Sequence, residues 1–91
     1  MAENNNQSQS IKPVEFEAEL SQTRPFFSNS TNAHYSYEQW LLDFLYRLND
    51  QATLISRVVI TPSHVKNLNI LLSNQIKEYE ALFGEIRTEA Q

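Results

Sequence analysis

Cysteine is missing from this chain altogether, which excludes a disulfide framework, a thiolate metal site and a cysteine nucleophile together. Glycine is almost missing. The single glycine, Gly84, cannot build a loop that cradles phosphates, and no Gly-x-Ser-x-Gly frame surrounds Ser28, Ser30 or Ser36. The two histidines, His34 and His64, have no HxxxH or HxH spacing, so no metal-ligand set is recognisable. No apolar run approaches the roughly 18 residues of a membrane span, and no signal-peptide pattern opens the chain. A basic excess is also lacking: the net charge is −4 and the pI about 5.0, the wrong sign for a partner recognised through its phosphate backbone. These absences lead to the expectation of a cytoplasmic protein that is not an enzyme and has no cofactor, no metal, no membrane contact and no nucleic-acid partner.

What is present suffices for one compact domain, with 91 residues, 41% apolar and 11% aromatic. A chain of this size buries only about 60 to 65% of its unfolded surface, so a second copy is a natural source of further burial. The leading residues Ala2–Ser10 are almost wholly Asn, Gln, Ser and Glu, a composition that cannot offset its ordering entropy. A disordered polar leader over residues 1–12 is expected, then a single α+β domain over 13–86 and a flexible tail over 87–91.

From Val14 to Leu20 apolar and acidic residues alternate strictly, the pattern of a strand with one wet face. Pro25 ends that run. Phe26–Tyr35, rich in Ser, Thr and Asn between aromatics, suits an exposed, weakly packed strand. Tyr37–Leu48 fits two periods: Trp40, Leu41, Phe44, Leu45 and Leu48 at helical spacing behind a capping-box pattern, or Trp40, Leu42, Phe44, Tyr46 and Leu48 alternating as a strand. Thr53–Ile60 decides between them, because it is rich in β-branched residues and too short for a typical helix. A hairpin loop at Asn49-Asp50-Gln51 sets Leu48 against Ala52 and Asp43 against Arg57, and aligns Trp40, Leu42 and Tyr46 with Ile60, Val58 and Leu54 on one face. Thr61 is then an N-cap, Pro62 takes the first helical position and Gly84 marks the end of a helix of about 22 residues. Val65, Leu68, Leu72, Ile76, Tyr79 and Phe83 form its stripe, widened by Leu71 and Leu82, with Ile70 on the opposite side.

The run Arg57-Val58-Val59-Ile60-Thr61-Pro62-Ser63-His64-Val65-Lys66, followed by Leu68, Leu71-Leu72, Ile76, Tyr79-Glu80, Phe83-Gly84 and Ile86, resembles a small bacterial family known as Domain of Unknown Function 3467. Phe27-Ser28-Asn29 and the stretch from His34-Tyr35-Ser36 to Leu42-Asp43-Phe44 match its middle strands more loosely. Pro25 and the apolar continuation Leu45-Tyr46-Arg47-Leu48 depart from its pattern. The resemblance implies four strands and a C-terminal helix, and it brings no reaction, ligand or catalytic residue. The expected fold is therefore α+β, an antiparallel sheet of about four strands followed by one long C-terminal helix packed on one face.

No residue pattern carries reactive chemistry. His64, in the first turn of the helix, and His34, in a polar strand, are expected to serve packing or hydrogen bonding. Glu15, Glu17 and Glu19 are expected to form a solvated strand edge rather than a cation site. Asp43 and Arg57 form a cross-strand ion pair in the expected register. Around that pair, Leu41, Leu45, Ile55 and Val59 make the sheet's second face apolar, and one helix cannot cover both faces of a sheet. Those four, with Leu71 and Leu82 on the helix, are the interface candidates of a homodimer that binds a protein partner, with a chaperone-like holdase as a variant. The competing reading is a small-molecule or ion-binding regulator using His64, Asp43, Arg57 and Tyr79 in a pocket between sheet and helix.

Overall fold

The computed structural model describes residues 13–88, so the expected leader and the last three residues of the expected tail lie outside the described residues. The chain divides into two compact units, one spanning Val14–Pro62 and the other containing the helix from Ser63 onward. The first holds three antiparallel strands, β1 (Ser30–Tyr35), β2 (Trp40–Leu48) and β3 (Gln51–Ile60), in the spatial order β1-β2-β3. The second is built on one helix, α1 (Pro62–Phe83). The class is α+β as expected, with three strands in place of about four.

The missing strand is the alternating segment after Val14. It has no regular structure up to Glu19, and Leu20–Thr23 forms a turn of 3-10 helix. Alternation yields a strand only where a ladder partner and a cover for the apolar face exist. Here Phe16 is 84% exposed, and local side-chain bonds hold the backbone instead. The Glu19 N–H donates to Gln22 Oε1 (2.9 Å) and the Thr23 hydroxyl to the Leu20 carbonyl (2.6 Å).

Strand, not helix, prevails from Trp40 to Leu48, because β1 and β3 flank β2 on both sides. Asp43 lies opposite Arg57, Leu42 opposite Val58 and Trp40 opposite Ile60, as expected. Beyond Phe44 the register slips at a bulge, so that Leu45 faces Leu54, Arg47 faces Ala52 and Leu48 faces Gln51. The hairpin turn is accordingly Asn49-Asp50, shorter by one residue than expected, with Asn49 at φ 58°. Asparagine tolerates that left-handed conformation better than other side-chain-bearing residues. The residue saved at the turn is absorbed at Ile55, and Leu54 thereby moves to the opposite face from the one expected.

The entry to β1 is tied to the far end of β2 by Asn29. Its carboxamide donates from Nδ2 to the Arg47 carbonyl (2.9 Å) and accepts at Oδ1 from the Arg47 N–H (2.8 Å). The Asn29 N–H and the Ser28 hydroxyl both donate to the Leu45 carbonyl, at 3.0 and 2.9 Å. A side chain thus continues the ladder where the β1 backbone has turned away. Phe27 packs edge-on to Tyr46 at 5.9 Å, and Tyr35 stacks with Trp40 at 5.1 Å.

Helix α1 begins at Pro62, where the missing N–H leaves no intrahelical bond unmade, and ends before Gly84 at φ 95°. The Gly84 N–H donates to the Glu80 carbonyl (2.9 Å), and the Glu80 carboxylate accepts from the Ile86 N–H (2.9 Å). One residue therefore closes the helix with its backbone and fixes the exit with its side chain. Ile70, expected on the solvent side, is half-buried, whereas Leu72, Ile76 and Tyr79 of the main stripe are exposed.

Candidate functional site

Residues directly opposite one another in antiparallel strands share a face, so the register defines both faces of the sheet. The first carries Tyr35, Trp40 and Ile60 in one row and Ala33, Leu42 and Val58 in the next. The second carries His34, Leu41 and Val59, then Asn32, Asp43 and Arg57, then Ser30, Leu45 and Leu54. A polar row crosses the second face between two largely apolar ones.

Asp43 anchors that row. It is 7% exposed, and both its oxygens accept from one guanidinium, Oδ1 from Arg57 Nε at 2.7 Å and Oδ2 from Arg57 Nη2 at 2.9 Å. The bidentate bond from Arg57 holds the Asp43 carboxyl below the usual carboxylate range, against the opposing effect of burial, with smaller electrostatic contributions from Arg57 and His34. Arg57 is reciprocally shifted upward, mainly by its bond to Asp43. A carboxylate with both oxygens engaged and a lowered pKa is a weak proton acceptor at neutral pH. Geometry and charge make this pair a fixed element of the sheet.

Of the interface candidates, Leu41, Leu45 and Val59 share the second face with this pair. Ile55 falls at the bulge and has no directly opposed residue; Leu54 takes the place expected of it, opposite Leu45. On the helix Leu71 is half-buried and Leu82 is 76% exposed. The sheet brings Asp43 and Arg57 together, while His64 and Tyr79 belong to the helical unit; Tyr79 there contacts Phe83, with ring centroids 4.9 Å apart. Sequence reading missed Leu54, whose face depends on the bulge, and Asn29, whose only sequence signal is an asparagine just ahead of a strand.

A depression of about 170 Å³ lined by His34, Tyr35, Ser36, Gln39 and Leu41 opens at the β1–β2 turn; sites for drug-sized ligands run to roughly 300–1,000 Å³. Among the described residues no three His, Asp or Glu side chains are placed to hold a metal ion, and no helix is long and apolar enough to cross a membrane.

Among the described residues the fold is α+β, a three-stranded meander followed by a long helix, with the exposed apolar residues Leu54 and Val59 on the face that carries the Asp43–Arg57 pair. The chain belongs to the family described as protein of unknown function (DUF3467), whose model matches residues 1–88, nearly the whole chain. No curated protein and no solved structure matches it.

Proposed function

We propose that this protein is a non-enzymatic, cytoplasmic protein-interaction module that forms a homodimer and binds another protein through the apolar surface the assembly presents. One observation carries the reading. Among the described residues Ile60, 8% exposed, is the only buried apolar side chain, while Leu54, Val58 and Val59 on the sheet and Leu72, Ile76, Tyr79, Leu82 and Phe83 on the helix are exposed. Apolar surface returns about 25 cal/mol per Å² when removed from water, so a chain with so little of it covered gains by associating. In the assembled protein the second face of the sheet and the Leu71 and Leu82 flank of the helix are covered.

Light scattering of the purified chain at micromolar concentration tests the reading. The expected result is a dimer that Leu41→Asp loosens or destabilises. A strict monomer whose stability Leu41→Asp leaves unchanged contradicts it. The holdase variant predicts suppressed aggregation of an unrelated unfolded protein, and no suppression at equimolar ratio removes that variant alone.

A further inference from the structure

The two edges of the sheet are built differently. β1 is short and polar, Ser-Thr-Asn-Ala-His-Tyr, whereas β3 runs for 10 residues, Gln-Ala-Thr-Leu-Ile-Ser-Arg-Val-Val-Ile. β3 holds no proline and no lysine, and its one charge, Arg57, is drawn to Asp43 on the neighbouring strand. Among the described residues of the sheet unit, no backbone hydrogen bond reaches the outer side of β3. Edge strands are normally blunted by charge, proline or short length. From Ser56 to Ile60 β3 has no proline, and its single charge, Arg57, is paired with Asp43.

The direction of the open groups follows from the ladder. In antiparallel pairs a residue's N–H and C=O turn to the same side, and successive residues alternate. Arg47 turns both groups to Asn29, and Leu45 turns its carbonyl there too. The even residues of β2 therefore face β3, so Phe44, Leu42 and Trp40 bond to Ser56, Val58 and Ile60, their register partners. Arg57 and Val59 are left with N–H and C=O directed away from the sheet.

We propose that the outer edge of β3 pairs antiparallel with β3 of a second copy, about a two-fold axis at Val58, to make one continuous six-stranded sheet. The proposal rests on the homodimer reading above but moves the contact between copies from the sheet's second face to the β3 edge, leaving that face, with Leu41, to the protein partner. A second copy fits this edge because the β3 stretch Ser56–Ile60, centred on Val58, pairs antiparallel with itself in a register that sets no like charges opposite one another. In that register Arg57 of each copy bonds to Val59 of the other, Ser56 lies opposite Ile60, and the two Val58 residues face each other. Centring on Arg57 would set like charges directly opposite. A pairing of β3 with the β1 edge of the next copy would not close, and would propagate into a fibre. The polar row through Asp43 and Arg57 then reaches the seam from both sides.

The test uses the absence of cysteine. Val58 pairs with Val58 at a position without direct hydrogen bonds, where Cα atoms lie about 4.5 Å apart, inside the roughly 4.4–6.8 Å range of disulfides. The full chain carrying Val58→Cys is expected to oxidise almost completely to a covalent dimer, whereas Ser56→Cys and Val59→Cys stay largely monomeric on a non-reducing gel. Val59→Pro removes an N–H that only a partner uses, and is expected to give a folded monomer by light scattering and circular dichroism. Preferential cross-linking of Val59→Cys or Ser56→Cys overturns the register. A wild-type dimer in which Val58→Cys does not cross-link overturns the seam and leaves the homodimer reading standing. A wild-type monomer overturns both.

Discussion

Replacing Asn29 by alanine removes two hydrogen bonds to the backbone of Arg47 and leaves the Asn29 N–H to Leu45 carbonyl bond in place. Each bond contributes about 0.5–1.5 kcal/mol net. Asn29 and Arg47 are both exposed, so the freed N–H and carbonyl of Arg47 return to water, and the cost falls near the lower end, about 1–1.5 kcal/mol for the pair. Asn29→Asp separates the two contributions. It keeps an acceptor for the Arg47 N–H but points an oxygen at the Arg47 carbonyl, so it should lose at least one bond, about 1 kcal/mol, despite being nearly isosteric. The assay is urea unfolding at one fixed protomer concentration, since association makes apparent stability depend on it. Amide hydrogen exchange at Arg47 is the local readout, because its protection depends on Asn29 Oδ1. If Asn29→Ala shifts stability by less than about 0.3 kcal/mol and leaves Arg47 exchange unchanged, the carboxamide does not continue the ladder and the reasoning fails.

At Gly84, alanine meets no atom within 4 Å but must adopt φ 95°, so Gly84→Ala should cost about 1 kcal/mol from backbone conformation alone; an unchanged melting temperature would show the helix end to be rebuilt. Asn49→Gly should be neutral to within about 0.5 kcal/mol while Asn49→Val costs about 1–2 kcal/mol, because the turn places φ 58° there, and equal effects in urea unfolding would contradict that turn. Ile60→Ala removes the buried apolar side chain of the sheet and should cost about 2–4 kcal/mol; a loss below about 1 kcal/mol would place the core elsewhere. The Asp43 carboxyl is held low by Arg57, so the stability it contributes is present above its unfolded value of about 3.9 and is lost as pH falls through the lower folded value. Arg57→Met should raise the Asp43 titration seen by carboxyl carbon NMR, and an unmoved titration would show that the guanidinium is not its cause.

Much of this architecture is legible in the residues. Thr61-Pro62 and Gly84 bracket the helix because proline and glycine act locally, and they mark its observed limits. The pairing of Asp43 with Arg57 follows from counting out from the hairpin loop, where a turn taken one residue too long and the bulge cancel. Counting fails at Ile55, since nothing in Leu-Ile-Ser announces a bulge and the one-residue error at the turn hides until the ladder passes it. Val14–Leu20 misleads for a different reason: alternation records what a strand would present, not whether the segment joins a ladder. Asn29 is illegible because its task is set by where β2 ends, a tertiary fact. On the second face, Leu41, Leu45 and Val59 are placed correctly by period two alone, while Leu54 depends on the bulge.

Self-association is the claim on which the functional reading depends. Sedimentation equilibrium of the full chain over a hundredfold range of micromolar concentrations tests it most directly. A mass of twice the 10.6 kDa chain, falling to the single-chain value for Val59→Pro, is the predicted result. A wild-type mass of 10.6 kDa across the whole range would contradict it.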